Sequence, residues 1–392
     1  MNAPQVVSLG CRLNLAEGDR IAAMLRADPA VRVINSCAVT NEALRQTRQA
    51  IRRIRKQHPD ARLLVTGCAV ETDRTSIAAM PEVDGIIPNA AKLDGRAWNI
   101  APTPGQSVAG GRHTRAFVGV QTGCDHACTF CVIPRGRGKA RSSPVAAVLH
   151  SVEQHLHAGA AEIVLTGVDL TSWGNDLDGQ PLGTLVAAIL TTFPELRRLR
   201  LSSVDSAELD PLLFDLLAGE PRVMPHLHLS LQHGHDLILK RMRRRHRTAD
   251  AVALVDALKA RRPEIAIGAD LIAGFPTEQE AHHKANLALV DRLDIVHGHV
   301  FPFSPRAGTP ASRMPPVPPP LVRERAAALR TAVAARRAQW LREHLGQPLS
   351  VLVERDGTGY APGYARVIAP ANVQPGQVVT IVPTHVQEGT LR

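Results

Sequence analysis

The stretch GCDHACTFC, residues 123–131, places Cys124, Cys128 and Cys131 on one short loop directly after the apolar run AFVGVQT. Thiolates so close together are soft ligands, suited to zinc, copper or an iron-sulfur cluster. A structural zinc normally takes its fourth ligand from a second Cys or His pair. No such pair follows in register, and His126 sits inside the loop itself. Three cysteines suit a 4Fe-4S cluster with one iron left open, at which S-adenosylmethionine can chelate before one electron breaks its sulfonium bond. The alternatives are zinc and three merely buried thiols, although core cysteines need no such spacing.

The other three cysteines, Cys11, Cys37 and Cys68, lie far apart and form no motif by spacing. Their surroundings are more informative. PQVVSLGC, VRVINSC and ARLLVTGC each read as a strand that ends in cysteine, with helical stretches near 16–27 and 42–57 between them. Such alternation predicts a parallel sheet, whose strands present their carboxyl ends along one edge, the usual place for a site. Three cysteines on that edge can hold a second cluster with an open iron; the competing reading is coincidental core cysteines.

Downstream, residues 101–115 (APTPGQSVAGGRHTR) read as a linker. Six candidate strands follow, AFVGVQTGC, AEIVLTGVD, RRLRLSSVD, PHLHLSLQ, EIAIGADLIAGF and LDIVHGHVF, each separated from the next by chain enough for a helix. They predict a partial parallel barrel, whose strand ends carry the ligand contacts. That places Thr166 and Gly167 with Asp169, Ser202 and Ser203 with Asp205, and Asp270 with Gly274 around the loop that contains Phe130. In HLHLSLQ the alternation turns His226, His228, Ser230 and Gln232 to one face and the leucines to the other. Phe130, Thr166, Gly167, Ser202, Gln232, Asp270 and Gly274 are therefore candidate cofactor contacts. The plainer reading makes them turn glycines and hydrogen-bonded core, and it is the one preferred for the two histidines.

After MPPVPPP (314–320) comes a long Ala/Arg helix from about 321 to 344, then the short β-type runs LSVLVERD, YARVIAP and QVVTIVPTHV. The fold class expected is α/β: a parallel, Rossmann-like domain over 1–105, a partial (β/α)6 barrel over 112–345 and a small all-β module over 346–392.

A net charge of +10 over 392 residues favours a polyanionic partner, with cations concentrated in 44–62 and in KRMRRRHR (240–247). IPRGRGKARS adds Arg135, Arg137, Lys139 and Arg141 right after the first trio, placed for phosphate contact or for a solvated loop. The start MNAPQVVSLGCRLN does not read as a secretory signal, and no apolar run approaches the roughly 20 residues of a membrane span. The expected place is the cytoplasm, where thiols stay reduced and clustered cysteines point to metal or catalysis.

Taken together, SLGCRLN, INSCAVTNEA and VTGCAVE, followed by GCDHACTFCVIPRGRG, LSLQHGHDLILKRMRRRH, GADLIAGFPTE and FPFSPRAGTPA, resemble in order the methylthiotransferases of the radical S-adenosylmethionine superfamily over nearly the whole chain. The resemblance implies S-adenosylmethionine and two 4Fe-4S clusters, the radical one on Cys124, Cys128 and Cys131 and the auxiliary one on Cys11, Cys37 and Cys68. It also implies an RNA-binding TRAM-like module at the carboxyl end, a tRNA anticodon loop as partner, a low-potential donor such as flavodoxin or ferredoxin, and action as a monomer. GCRLN is similar to the branch that acts on threonylcarbamoyladenosine in tRNA; the branches for isopentenyladenosine tRNA and for a ribosomal protein aspartate typically carry Gln-Met-Asn and Pro-Lys-Asn after that Gly-Cys. A zinc-dependent RNA-binding protein is the non-enzymatic rival.

Overall fold

The structure, a computed structural model, describes residues 5–99 and 114–392. The stretch expected to be a linker, 101–115, lies outside the described residues except for its last two.

Four strands, β1 (Gln5–Ser8), β2 (Val31–Ser36), β3 (Arg62–Gly67) and β4 (Gly85–Ile86), form a parallel sheet in that order. Between them run α1 (Arg12–Met24), α2 (Asn41–Gln57), α3 (Cys68–Thr72) and α4 (Arg74–Ala78). Every residue of β2 is buried, as a strand covered on both faces must be. In α2 the Thr40 side chain accepts from the Ala43 N–H, while Thr47, Ala50, Ile51 and Ile54 make the buried stripe and leave most of its cations outward. Helix α1 begins at Arg12 rather than near 16. The extra turn is held tertiarily, with Asn14 Nδ2 donating to the carbonyls of Leu9 (2.6 Å) and Ser36 (3.1 Å).

The central region opens with β5 (Arg115–Gly119), then a short hairpin of β6 (Gln121–Thr122) and β7 (Arg141–Ser142) that encloses α5 (Ile133–Arg137). Helices α6 (Val145–His157), α7 (Leu182–Thr192) and α8 (Pro211–Gly219) alternate with β8 (Glu162–Thr166), β9 (Leu199–Leu201) and β10 (His226–Gln232). The series continues through α9 (Asp236–Met242), α10 (Thr248–Arg261), β11 (Ala266–Ala273), α11 (Glu280–Arg292), β12 (Ile295–Pro302) and α12 (Pro319–Arg342). Strands β5-β8-β9 and β10-β11-β12 are parallel sets joined by the bridges Leu199↔Val223 and Val204↔Leu229, giving the six-stranded partial barrel. Leu227, Leu229 and Leu231 belong to the main core with Ile163, Leu165, Leu199 and Leu201, under the helices. Their alternates, Val164, Arg200, His226, His228 and Asp270, face the lumen. Helix α1 leans into the open side, where Ala16 packs with Phe117 and Val164.

The carboxyl-terminal sheet has six strands: β13 (Leu349–Val353), β14 (Thr358–Tyr360), β15 (Arg366–Ile368), β16 (Val378–Ile381), β17 (Val386–Gln387) and β18 (Thr390–Leu391), in the order β16-β13-β14-β15-β18-β17. Three were expected; β14, β17 and β18 are too short to leave a period. The module closes the floor of the barrel: Arg200 Nη1 donates to the Pro362 carbonyl (2.8 Å), its guanidinium lies 4.0 Å from the Tyr364 ring centre, and Arg115 pairs with Glu354 (2.6 Å). No helix among the described residues is long and apolar enough to cross a membrane.

Candidate active site formed by two cysteine trios

The loop of the first trio is built by backbone geometry. Gly123 sits at φ +75°, and a Cβ there would fall 1.9 Å from the Lys139 carbonyl oxygen, so glycine is required. The loop is then clamped: Thr129 N–H donates to Met242 O (3.1 Å), Thr129 Oγ1 donates to Arg241 O (2.8 Å), and Ala311 N–H donates to Thr129 O (2.9 Å). Sulfur acceptors are served locally by the His126 N–H to Cys124 Sγ and the Ile133 N–H to Cys131 Sγ, both 3.4 Å, and from another part of the chain by Arg244 Nη1 to Cys128 Sγ at 3.6 Å. Burial, with the neighbouring thiols adding, pushes the Cys124 thiol up to about 12 and Cys131 to about 11. Without a cation these thiols hold their protons; binding a metal releases them.

The second trio is assembled by topology. In the β2–β3 register Ser36 lies opposite Gly67, so Cys37 and Cys68 leave the sheet side by side, and Cys11 stands at the start of α1. Ser36 Oγ donates to Thr66 O (2.5 Å) and accepts from the Ala69 N–H (3.2 Å), pinning the start of α3 to β2. Gly10, at φ +87°, brings the chain so close that a Cβ would lie 2.5 Å from Cys37 Sγ. Burial first, then Cys11 and Cys68, raises the Cys37 thiol to about 11; burial likewise raises Cys68. Cys37 and Cys68 are buried, Cys11 is exposed, and all six cysteines are free. A sulfur-only donor set with one exposed corner fits an iron-sulfur cluster with an open iron.

The two trios meet. Helix α5 starts two residues after Cys131 and packs on α3, which starts at Cys68; a Cβ on Gly136 would lie 3.2 Å from Cys68 Cβ. Asn89 Nδ2 donates to Gly136 O (2.5 Å) and reaches Cys68 Sγ at 3.9 Å. Cys68 is also close enough to Cys131 to raise its thiol. Beneath lies a buried charge cluster: Glu17 accepts from Lys92 Nζ (2.6 Å) and from Arg137 Nη1 (2.9 Å) and Nη2 (3.0 Å), and Arg137 also donates to Asn14 Oδ1 (2.6 Å). Burial alone would raise the Glu17 carboxyl, but Lys92 and Arg137 outweigh it and hold it below its ordinary range.

Arg137, read above as a phosphate contact, is thus turned inward and saturated; the sequence could not show that Glu17 lies beneath it. Arg135, Lys139 and Arg141 are exposed. Phe130 meets Phe275 edge-on at 6.4 Å. Thr166 is buried, Gly167 lies against the Gln121 side chain, and the buried Ser202 hydroxyl has no partner among the described residues. Gln232 takes φ +70° at the top of β10, and Gly274 takes φ +71° with its N–H donated to Glu278 (2.9 Å). Asp270 Oδ1 accepts from His228 Nε2 and His299 Nδ1, each at 3.1 Å. Burial would raise its carboxyl; the two histidines outweigh that and hold it well below the usual range. Sequence reasoning missed the role of KRMRRRH: Arg244 turns in to Cys128 and Asp205 (2.5 Å), and Arg241 to Thr277 (2.7 Å), so the charge run is partly structural. His126, set aside above as lying inside the loop, has its Nε2 2.7 Å from Asp169, and the hydrogen bonds to Asp169 and Glu208 outweigh burial and raise it to about 10.

Residues 118–290 match the radical SAM superfamily, and residues 4–88 match an uncharacterized protein family, UPF0004. A Rickettsia prowazekii protein named threonylcarbamoyladenosine tRNA methylthiotransferase MtaB is 38% identical, covering 99% of this chain and 96% of its own. An Erythrobacter litoralis protein named tRNA-2-methylthio-N(6)-dimethylallyladenosine synthase is 31% identical, covering 92% and 87%. Among solved structures, the radical S-adenosylmethionine methyltransferase TsrM of Kitasatospora setae superposes with a TM-score of 0.55 at 15% identity over 82% of this chain and 80% of that one, a likeness of fold. With Cys68 of one trio packed against the helix that follows Cys131 of the other, and relatives matched across nearly its full length, the chain belongs to the methylthiotransferase family of the radical S-adenosylmethionine superfamily.

Proposed function

We propose that this chain is a tRNA-modifying transferase that converts N6-threonylcarbamoyladenosine at position 37 to its 2-methylthio derivative, replacing a C–H bond at carbon 2 of the base with a C–S bond. The cofactors are S-adenosylmethionine and two 4Fe-4S clusters. The observation that carries the reading is the packing of α5 on α3, which brings Cys68 of the second trio close to Cys131 of the first. The substrate follows from the printed name of the Rickettsia relative, alike over nearly the whole of both chains.

In this reading residues 1–105 hold the auxiliary cluster on Cys11, Cys37 and Cys68. Residues 112–345 hold the radical cluster on Cys124, Cys128 and Cys131, and 346–392 form the TRAM-like module. When bound, these groups supply one-electron cleavage of the sulfonium bond and the methyl and sulfur to be transferred. The protein supplies place and charge. Arg244 donates to Cys128 Sγ and sets a positive charge beside the first trio. Glu278 fixes the Gly274 turn, Phe130 is held by Phe275, and the Ser202 hydroxyl faces inward unpaired; with Thr166, Gly167, Gln232 and Asp270 they frame the cofactor. The exposed Lys139 and Arg141, with Arg135, whose Nη1 donates to Ala307 O (2.5 Å), are the candidates to meet RNA phosphates. The chain works as a monomer in the cytoplasm on the anticodon loop, reduced by a flavodoxin- or ferredoxin-type donor.

Nucleoside mass spectrometry of tRNA from cells with and without the gene tests this: 2-methylthio-threonylcarbamoyladenosine alone should disappear. Loss of the methylthio group from isopentenyladenosine instead would overturn the substrate. One observation favours a zinc-binding, non-catalytic protein, the grouping of Cys124, His126 and Asp169 within 4.8 Å of one another. A colourless, iron-free protein that keeps zinc under anaerobic purification would support it.

A further inference from the structure

Five arginines of the barrel interior and the roof above it are matched by acids, Arg115 by Glu354 (2.6 Å), Arg198 and Arg200 by Glu162 (3.1 and 3.0 Å), Arg137 by Glu17 (2.9 Å) and Arg244 by Asp205 (2.5 Å), while the buried Arg306 near Cys37 is held by the neutral Asn41 Oδ1 (2.5 Å). Arg12 differs. It forms no ion pair among the described residues, and its guanidinium lies 5.2 Å from the centre of the Tyr364 ring, which floors the lumen. It follows Cys11 directly, on the helix that leans Leu13 against Gly119 and Ala16 against Phe117. Its charge reaches far enough into the chamber to help keep His226 neutral, after burial, His297, Arg200 and His228.

On the same lumen face His228 lies 6.3 Å from His226 and 4.6 Å from His299, which reaches Asp270 (3.1 Å) and Phe301 (ring centres 6.4 Å apart); the His299 side chain is 60% exposed and Phe301 37%. Asp270 already accepts from both imidazoles, so it is not the missing partner of Arg12. The chamber lies just under the first trio: Arg244, which donates to Cys128 Sγ, also donates to Ser230 O (2.8 Å), and His228 is two residues, about 7 Å, below Ser230 on the same face.

We infer that Arg12 is the carboxylate-binding residue of the substrate chamber, selecting an adenosine whose N6 arm ends in a carboxylate. The inference rests on the proposed threonylcarbamoyladenosine substrate and deepens it. A guanidinium laid on an aromatic face keeps its edge free for two parallel N–H···O bonds, which suits a planar carboxylate. A hydrocarbon arm would desolvate the charge and leave it unpaired, so the residue also rejects.

The test uses full-length protein with both clusters reconstituted, and anticodon stem-loop RNAs carrying threonylcarbamoyladenosine, its methyl ester or plain adenosine, with binding read by fluorescence anisotropy. The wild type should bind the acid at least about tenfold more tightly than the ester. Arg12→Gln should erase that preference, acid, ester and plain-adenosine RNAs then binding alike, and Arg12→Lys should restore part of it. Equal binding of acid and ester by the wild type, or an undiminished preference in Arg12→Gln, overturns the inference. Because Arg12 adjoins Cys11, iron content is measured in each variant. Should Arg12→Gln lose iron, Arg12→Lys decides, an undiminished preference counting against. Failure of the wild type to methylthiolate threonylcarbamoyladenosine RNA would instead defeat the proposed function.

Discussion

The two trios reach similar chemistry by opposite routes. Cys124, Cys128 and Cys131 share one loop that turns at Gly123 and carries its own N–H···S bonds, and that Arg241, Met242 and Ala311 then clamp at Thr129. Cys11, Cys37 and Cys68 are brought together by the register of a parallel sheet, by Ser36 bridging two strands and by the close pass of Gly10. A local site survives wherever its loop folds. A dispersed one exists only while the sheet, and the surface that backs it, are intact.

The largest expected effect separates the two roles. Cys128→Ala should abolish both S-adenosylmethionine cleavage and methylthiolated product, read as 5'-deoxyadenosine and as modified nucleoside. Cys37→Ala should abolish product yet keep part of the cleavage. Equal loss of cleavage in both variants would erase the distinction.

This difference also governs what the sequence makes legible. The first trio is visible as spacing, and the six barrel strands as apolar runs, because both signals lie within a window of ten or so residues. The second trio is visible only once three strands are placed in one sheet. What stayed hidden was long-range: Glu17 lies far from Arg137 in the chain, and nothing in IPRGRG distinguishes the buried Arg137 from its exposed neighbours. KRMRRRH reads as a surface charge run for the same reason, since Asp205, which claims Arg244, comes from another strand end.

Smaller effects should fall on the dispersed trio alone. Arg137→Met leaves the buried Glu17 bonded, among the described residues, to Lys92 alone and should cost about 3 kcal/mol in denaturant unfolding, lowering auxiliary iron before radical-cluster iron. Gly10→Ala, strained by its positive φ and crowded by Cys37 Sγ, should cost about 1–2 kcal/mol and lower only auxiliary iron. Equal loss from both clusters in either variant would mean that the two sites are not independently built.

The most direct measurement is iron and acid-labile sulfide per chain in anaerobically reconstituted protein. The wild type should hold about eight of each, and a variant lacking Cys11, Cys37 and Cys68 about four, with S-adenosylmethionine cleavage retained. A wild type that saturates at four, or a triple variant that still holds eight, would contradict the assignment of one cluster to each trio.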